Sequence, residues 1–234
     1  MTAIEEAILK LDRRLTGVPF DFAFLGGSVL SLLVTNPDVD AVRVTKDVDV
    51  MMNIRTRSEF HKADKMLERL GFRHDTREDA PICRWVYEDV TVDVLPTTED
   101  VLGWNSKWFA EALDESAQIT LGKRKVRVVT APYFVGLKLE AFEDRGAGDF
   151  VMSADFEDVI CLFNGRDEIV DEIAACDRLR AGLAEKFSAY LSSSGVEDAV
   201  EGFVQTESDP EVRKERILGM FRAVADLAEK ESSN

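Results

Sequence analysis

A chain of 234 residues is long enough to bury a substantial core, as one large domain or two small ones, without disulfide or metal staples. Its composition, 45% hydrophobic and 32% charged, is that of ordinary globular proteins, and no run approaches the roughly 18 consecutive apolar residues that a membrane span needs. The formal charge of −16 disfavours loose binding to polyanions, whose affinity comes from Lys and Arg displacing counterions, but it leaves room for a local basic patch.

Met1 to Glu6 are acidic and helix-like, without the basic-then-apolar order of a secretory signal, so a cytoplasmic location away from membranes is expected. Thr2-x-x-Glu5 reads as a capping box, and Ile4, Ile8, Leu11 and Leu15 follow at helical spacing, which predicts an amphipathic opening helix. Asp21 to Leu25 is a compact apolar run ended by Gly26-Gly27. Ser28 to Val34 resumes without a breaker, so the order strand, tight turn, helix is expected. Asn36-Pro37-Asp38 ends that helix and opens a polar loop, Asn36 to Arg43. Asp47 to Met52 alternates as a strand does. Thr56-x-x-Glu59 caps a further helix carrying Phe60, Ala63, Met66, Leu67 and Leu70, stopped at Gly71. Ile82 to Tyr87 and Val90 to Leu95, separated by Glu88-Asp89, have the spacing of a hairpin, with Pro96 ending its second strand.

A short helix is expected around Trp108 to Leu113, then a second hairpin, Ala117 to Leu121 with Lys125 to Val129, turning at Gly122-Lys123. The dense charge of Lys123-Arg124-Lys125-Val126-Arg127 suits either a basic patch or, the reading preferred, a strand edge guarded by charge. From Thr130 the pattern turns helical, with Thr130 and Pro132 opening one helix, Ser153 capping the next, and further runs from about Arg166, Asp177, Val196 and Pro210. Ser192 to Gly195 reads as a turn, and Glu229 to Asn234 as a frayed end. The fold class expected is α+β, a mixed β-sheet flanked by helices over 1–130 with a helical C-terminal part over 131–234.

The cysteines Cys83, Cys161 and Cys176 are odd in number and lack C-x-x-C spacing, which argues for reduced, mostly buried thiols rather than disulfides or a zinc knuckle. His61 and His74 have no partner at metal-ligand spacing and read as surface or loop residues.

Chemistry is carried by aspartates. Residues two apart on a strand share a face, so Asp47 and Asp49 project together while Val48 and Val50 enter the core. Asp93, between Val92 and Val94, lets a second strand supply a third carboxylate. Three carboxylates converging from two strands make a hard-oxygen site suited to Mg²⁺, with room for two ions roughly 3.5–4 Å apart. Taken alone, Asp-Val-Asp reads more readily as a solvated strand face. Upstream, Gly26 and Gly27 remove side chains where backbone must approach a phosphate, and Ser28 at a helix start adds a hydroxyl, an amide and the positive end of the helix dipole.

Leu25-Gly26-Gly27-Ser28, Val44 to Val50 and Val92-Asp93-Val94 together resemble, in order and context, the DNA polymerase β-like nucleotidyltransferase superfamily. Thr45 before the aspartate pair is similar to the branch that includes abortive-infection (AbiE-type) toxins. The stretch between Ser28 and Asp47 is longer than the superfamily usually uses. The resemblance implies a nucleotidyltransferase-type sheet and a Mg²⁺-dependent transfer of NMP from an NTP to an acceptor hydroxyl. Asp47, Asp49 and Asp93 would hold two Mg²⁺ ions, with Asp93 nearest the attacking group, and Gly26, Gly27 and Ser28 would hold the triphosphate. It further implies that Lys138, on the helix Gly136 to Phe142, contacts triphosphate. Asp155 and Asp158 would position Lys138, Arg145 or the acceptor, or else serve as ordinary carboxylates at a helix N-terminus. The acceptors implied are an RNA or tRNA end, a protein hydroxyl, or a small molecule such as an aminoglycoside, and a toxin role would imply an antitoxin partner. The competing expectation is a non-catalytic nucleotide-binding module.

Overall fold

The computed structural model describes all residues except 37, 38, 40–44, 104, 105, 147, 206, 207 and 232–234. Its contacts divide the chain into two units, residues 1–31 with 43–130, and residues 32–42 with 131–234. Most of the loop expected over Asn36 to Arg43, and Val44 beside it, lie outside the described residues.

The first unit opens with α1 (Ala3–Leu15), whose Thr2 hydroxyl accepts from the Glu5 amide while the Glu5 carboxylate accepts from Thr2, the capping box read from the sequence. Strand β1 (Phe22–Leu25) leads into a 3-10 turn over Gly27–Val29 and then α2 (Leu30–Leu33), which is one turn long. Strand β2 (Asp47–Met52) is followed by α3 (Arg57–Arg69), again closed by a capping box, between Thr56 and Glu59. Then come β3 (Arg73–His74), the hairpin β4 (Arg84–Tyr87) and β5 (Val90–Pro96), the short helices α4 (Glu99–Leu102) and α5 (Phe109–Asp114), and the hairpin β6 (Ala117–Leu121) and β7 (Arg124–Val128). The two-residue β3 and the one-turn α4 have too few residues for periodicity to reveal.

These seven strands form one mixed sheet in the order β3-β4-β5-β2-β1-β7-β6. The α+β class is therefore as expected. β2 lies at the centre, antiparallel to β1 and parallel to β5. A parallel pair needs a long crossover, and the chain between β2 and β5, with α3 in it, supplies one. Helix α1 packs on β2 and β7, and α5 on β2. Val48, Val50, Met51 and Met52 are fully buried.

The basic segment Lys123 to Arg127 departs from its expected place. β7 is not an edge strand, because it pairs with β1 on one side and with β6 on the other, so β6 forms the edge. Its charges are used inside the unit: Arg124 donates to Asp12 of α1 at 2.7 Å, and Arg127 to the Leu113 carbonyl at 2.7 Å.

The second unit is helical: α6 (Ala131–Arg145), α7 (Ala154–Gly165), α8 (Ile169–Ala175), α9 (Asp177–Leu191), α10 (Ser194–Val204) and α11 (Pro210–Ala225). Residues 32–42 group with it although the sequence places them in the first domain. The Thr35 and Asn36 amides both donate to the Gly165 carbonyl, and the Arg166 guanidinium donates to that of Leu33. The turn expected over Ser192 to Gly195 is shorter than read, because the Ser193 hydroxyl accepts from the Gly195 amide and starts α10 at Ser194. Helical backbone also continues past Glu229, as a 3-10 turn over Asp226–Glu231. The core is aromatic: Phe163, Phe187 and Phe221 meet with centroids 4.8–5.4 Å apart, and Phe142, Phe150, Phe156 and Tyr190 continue the cluster. Among the described residues no helix is long and apolar enough to cross a membrane.

Candidate active site

In the parallel β2–β5 register Asp49 pairs with Asp93, and Asp47 pairs with Thr91. The even side-chain period of both strands puts all three carboxylates on one face. Asp93 is only 8% exposed, whereas Asp47 and Asp49 are half-buried. The sheet thus brings the three sequence-predicted aspartates together.

β1 sets Leu25 beside Asp49, so the glycine turn begins next to that carboxylate. Gly26 has φ 69 and ψ −165, a region that only glycine adopts freely. A Cβ built on it would lie 1.9 Å from Asp49 Oδ2. Glycine is required there on both counts.

Ser28 lies in the first turn of a short helical run, the 3-10 turn over Gly27–Val29 continuing into α2. The Ser28 hydroxyl is buried and donates to the Leu25 carbonyl at 2.9 Å, which closes the turn on itself.

One residue of the cluster was missed. Arg84 of β4 faces Asp93 in the antiparallel β4–β5 pair. Its Nε donates to Asp93 Oδ1 at 2.8 Å and its Nη2 to Asp93 Oδ2 at 2.7 Å, and Nη2 also reaches Asp47 Oδ2 at 3.1 Å. These bonds to Asp93, opposed by partial burial, raise the guanidinium above its ordinary value, so its charge is permanent. The signal was in the sequence: counting outward from the Glu88-Asp89 turn, Tyr87 faces Val90 and Arg84 faces Asp93. The Thr45 hydroxyl donates to Asp47 Oδ1 at 2.8 Å. Burial, with the Asp93 charge adding to it, pushes the neighbouring Cys83 thiol up to about 12, which makes it inert rather than nucleophilic.

Hard oxygen donors from two paired strands and a glycine that keeps their neighbourhood clear suit a divalent cation, while the Arg84 guanidinium already lies against two of the carboxylates. Carboxylate oxygens of this kind are the donors Mg²⁺ prefers.

In the second unit Lys138 of α6 is 8% exposed and held by α7. Its Nζ donates to Asp155 Oδ1 at 3.1 Å and contacts Asp158 Oδ2 at 2.6 Å. Arg145 also donates to both oxygens of Asp155, at 2.8 and 3.0 Å. Burial lowers the Lys138 ammonium, but the charges of Asp158 and Asp155 more than offset this and leave it raised. The expected contact of Lys138 with triphosphate would require it to exchange these carboxylates for phosphate oxygens, and Asp158, 1% exposed, would have to release it.

His74 is exposed, as read, yet it does have partners. Its Nε2 lies 3.1 Å from Asp64 Oδ1, and the ligating atoms of Asp64, Glu68 and His74 fall within 4.8 Å of one another. This surface group belongs to α3 and β3, not to the strand-borne aspartates.

No protein-family model matches the sequence, and no curated protein matches it. Solved structures with a similar chain trace include an antigenic nucleotidyltransferase-like protein from Paracoccidioides brasiliensis, 14% identical over 91% of this chain and 92% of that one, TM-score 0.47. JHP933 from Helicobacter pylori is 14% identical over 99% and 96%, TM-score 0.46. The antibiotic-resistance factor ANT(2'')-Ia is 14% identical over 81% and 94%, TM-score 0.43. Similarity at this level assigns no residue a role.

Proposed function

We propose that this chain is a Mg²⁺-dependent nucleotidyltransferase that moves an NMP from an NTP to an acceptor hydroxyl and releases pyrophosphate. The observation that carries the reading is the register of β2 on β5, which sets Asp49 beside Asp93, with Asp47 on the same face and the side-chain-free Gly26 against Asp49.

In this reading Asp47, Asp49 and Asp93 hold the metal. Bound there, Mg²⁺ supplies neutralisation of phosphate charge and a more acidic acceptor hydroxyl. The chain's own residues do the positioning. Thr45 fixes one oxygen of Asp47 through its hydrogen bond. Gly26 and Gly27 present bare backbone to the phosphates, and Ser28 holds that turn in shape from within. Asp93 would be the group nearest the acceptor, and a proton it takes would go to a lone pair that the two hydrogen bonds from Arg84 leave open.

The charge of −16 favours a small molecule or a protein hydroxyl as acceptor, while the toxin-like Thr45-x-Asp47 pattern favours an RNA end, with an antitoxin partner as its corollary. The test incubates purified protein with Mg²⁺ and each labelled NTP, offering bulk tRNA, cell protein and aminoglycosides. Label is expected on one acceptor class and is expected to vanish in Asp47→Ala/Asp49→Ala. NTP binding without transfer to any acceptor would replace the enzyme reading by that of a nucleotide-binding module.

A further inference from the structure

Arg84 places a permanent cation where the proposed metal site needs its carboxylates. The fork on Asp93 occupies both of that residue's oxygens, and the same Nη2 extends to Asp47 Oδ2. A two-pronged guanidinium–carboxylate pair is planar, directional and stronger than a neutral hydrogen bond. It is also placed by backbone, since Arg84 and Asp93 are opposite partners in a hairpin that β5 anchors to the centre of the sheet. Mg²⁺ demands near-ideal octahedral geometry with oxygens at about 2.0–2.1 Å. The fork engages one lone pair on each Asp93 oxygen, so an ion could use only the outer pairs, and at that range the two positive charges repel.

We infer that Arg84 is a resident counter-cation of this site: it holds Asp47 and Asp93 while metal is absent, and a divalent ion binds in competition with its Nη2 on Asp47 and its fork on Asp93. The inference rests on the metal-site reading above and deepens it, because it makes the affinity for metal a property of Arg84 as well as of the aspartates. Arg84 therefore acts in opposite directions on two quantities. It stabilises the metal-free protein by separating carboxylates that would otherwise repel, and it weakens metal binding by competing for the same oxygens.

The test uses Mn²⁺ alone, without nucleotide, titrated calorimetrically and by electron paramagnetic resonance into the full chain. His74→Ala is present in every background, so that the surface group of Asp64, Glu68 and His74 does not contribute a second site. Arg84→Gln is expected to bind Mn²⁺ at least about tenfold more tightly than the parent. It should also melt lower in EDTA and show a larger Mn²⁺-induced rise in Tm. Arg84→Lys, which keeps the charge but loses the fork, should fall between them and serves as the reading should Arg84→Gln fail to fold without metal. Equal or weaker Mn²⁺ binding by both variants overturns the inference and makes Arg84 a fixed strut that the bound site needs. Failure of the underlying reading looks different: Mn²⁺ binding absent from parent and variants alike, or unchanged by Asp49→Asn, overturns the metal site itself.

Discussion

Two ionic clusters in this chain are built from the same residue types and differ in how charge is shared. In the sheet, the Arg84 guanidinium is divided between Asp47 and Asp93, and the cluster is partly open to solvent. In the helical unit the proportion is reversed, for Asp155 alone accepts from two cations, Lys138 and Arg145, and Lys138 is also matched by Asp158. Matched charges that are buried and hydrogen-bonded on each side hold a structure in place, whereas carboxylates near solvent can exchange one cation for another. The difference separates a group that organises a helix pair from a group able to take up a ligand.

The most damaging change to this contrast is Lys138→Met, which strips Asp155 and Asp158 of a buried partner. A loss of about 3–5 kcal/mol is expected, on the order of 10 °C in Tm for a chain of this size. Asp47→Asn, in the open cluster, should move Tm by only a few degrees because its ion pair is partly exposed, while abolishing transfer. Thermal melts of both variants check the pair, and equal losses would erase the distinction. A Lys138→Met protein that melts normally but shows a raised KM for NTP would instead return Lys138 to the substrate.

Gly26→Ala comes next. The backbone there costs a β-carbon about 1–3 kcal/mol, and the added atom collides with Asp49 Oδ2. Because misplacement by about 1 Å can cost 10²-fold in rate, activity should fall by roughly that factor while the protein stays folded, as followed by transfer assays beside circular dichroism.

The smallest effect concerns acid. Burial raises the Asp155 carboxyl, but the hydrogen bond from Arg145 and the charge of Lys138 outweigh it and leave it below its ordinary 3.8. A carboxyl depressed in the fold contributes stability above the unfolded value and loses it as pH falls through the folded one. The Tm difference between parent and Asp155→Asn should therefore be constant near neutrality and narrow below pH 3.8. A difference that persists undiminished into acid would mean that charge is not what Asp155 contributes.

The sequence was most legible where the signal is local. The capping boxes at Thr2 and Thr56 and the alternation around Asp47 and Asp93 each lie within a few residues, and each marks an element the structure contains. What escaped depends on pairings distant in sequence. That β7 lies inside the sheet is decided by its contact with β1, about a hundred residues earlier. The grouping of residues 32–42 with the helices is decided by Gly165 and Arg166. Arg84 lies between these cases, since the hairpin count that places it opposite Asp93 could have been made from the turn alone. In the candidate site, Asp47, Asp49 and Asp93 share one sheet face with Gly26 against Asp49, while the hydrogen bond of the Ser28 hydroxyl to the Leu25 carbonyl could not be read from the sequence.

The pairing of β2 with β5 also determines where the gene tolerates lengthening. A single inserted codon within either strand turns every later side chain to the opposite face, exchanging aspartate for valine in the site and valine for aspartate in the core. An insertion of the same size in a connecting loop leaves that alternation intact. Drift in length should therefore collect in the connections, and a scan of one-residue insertions along the chain would trace these two strands as intervals without survivors.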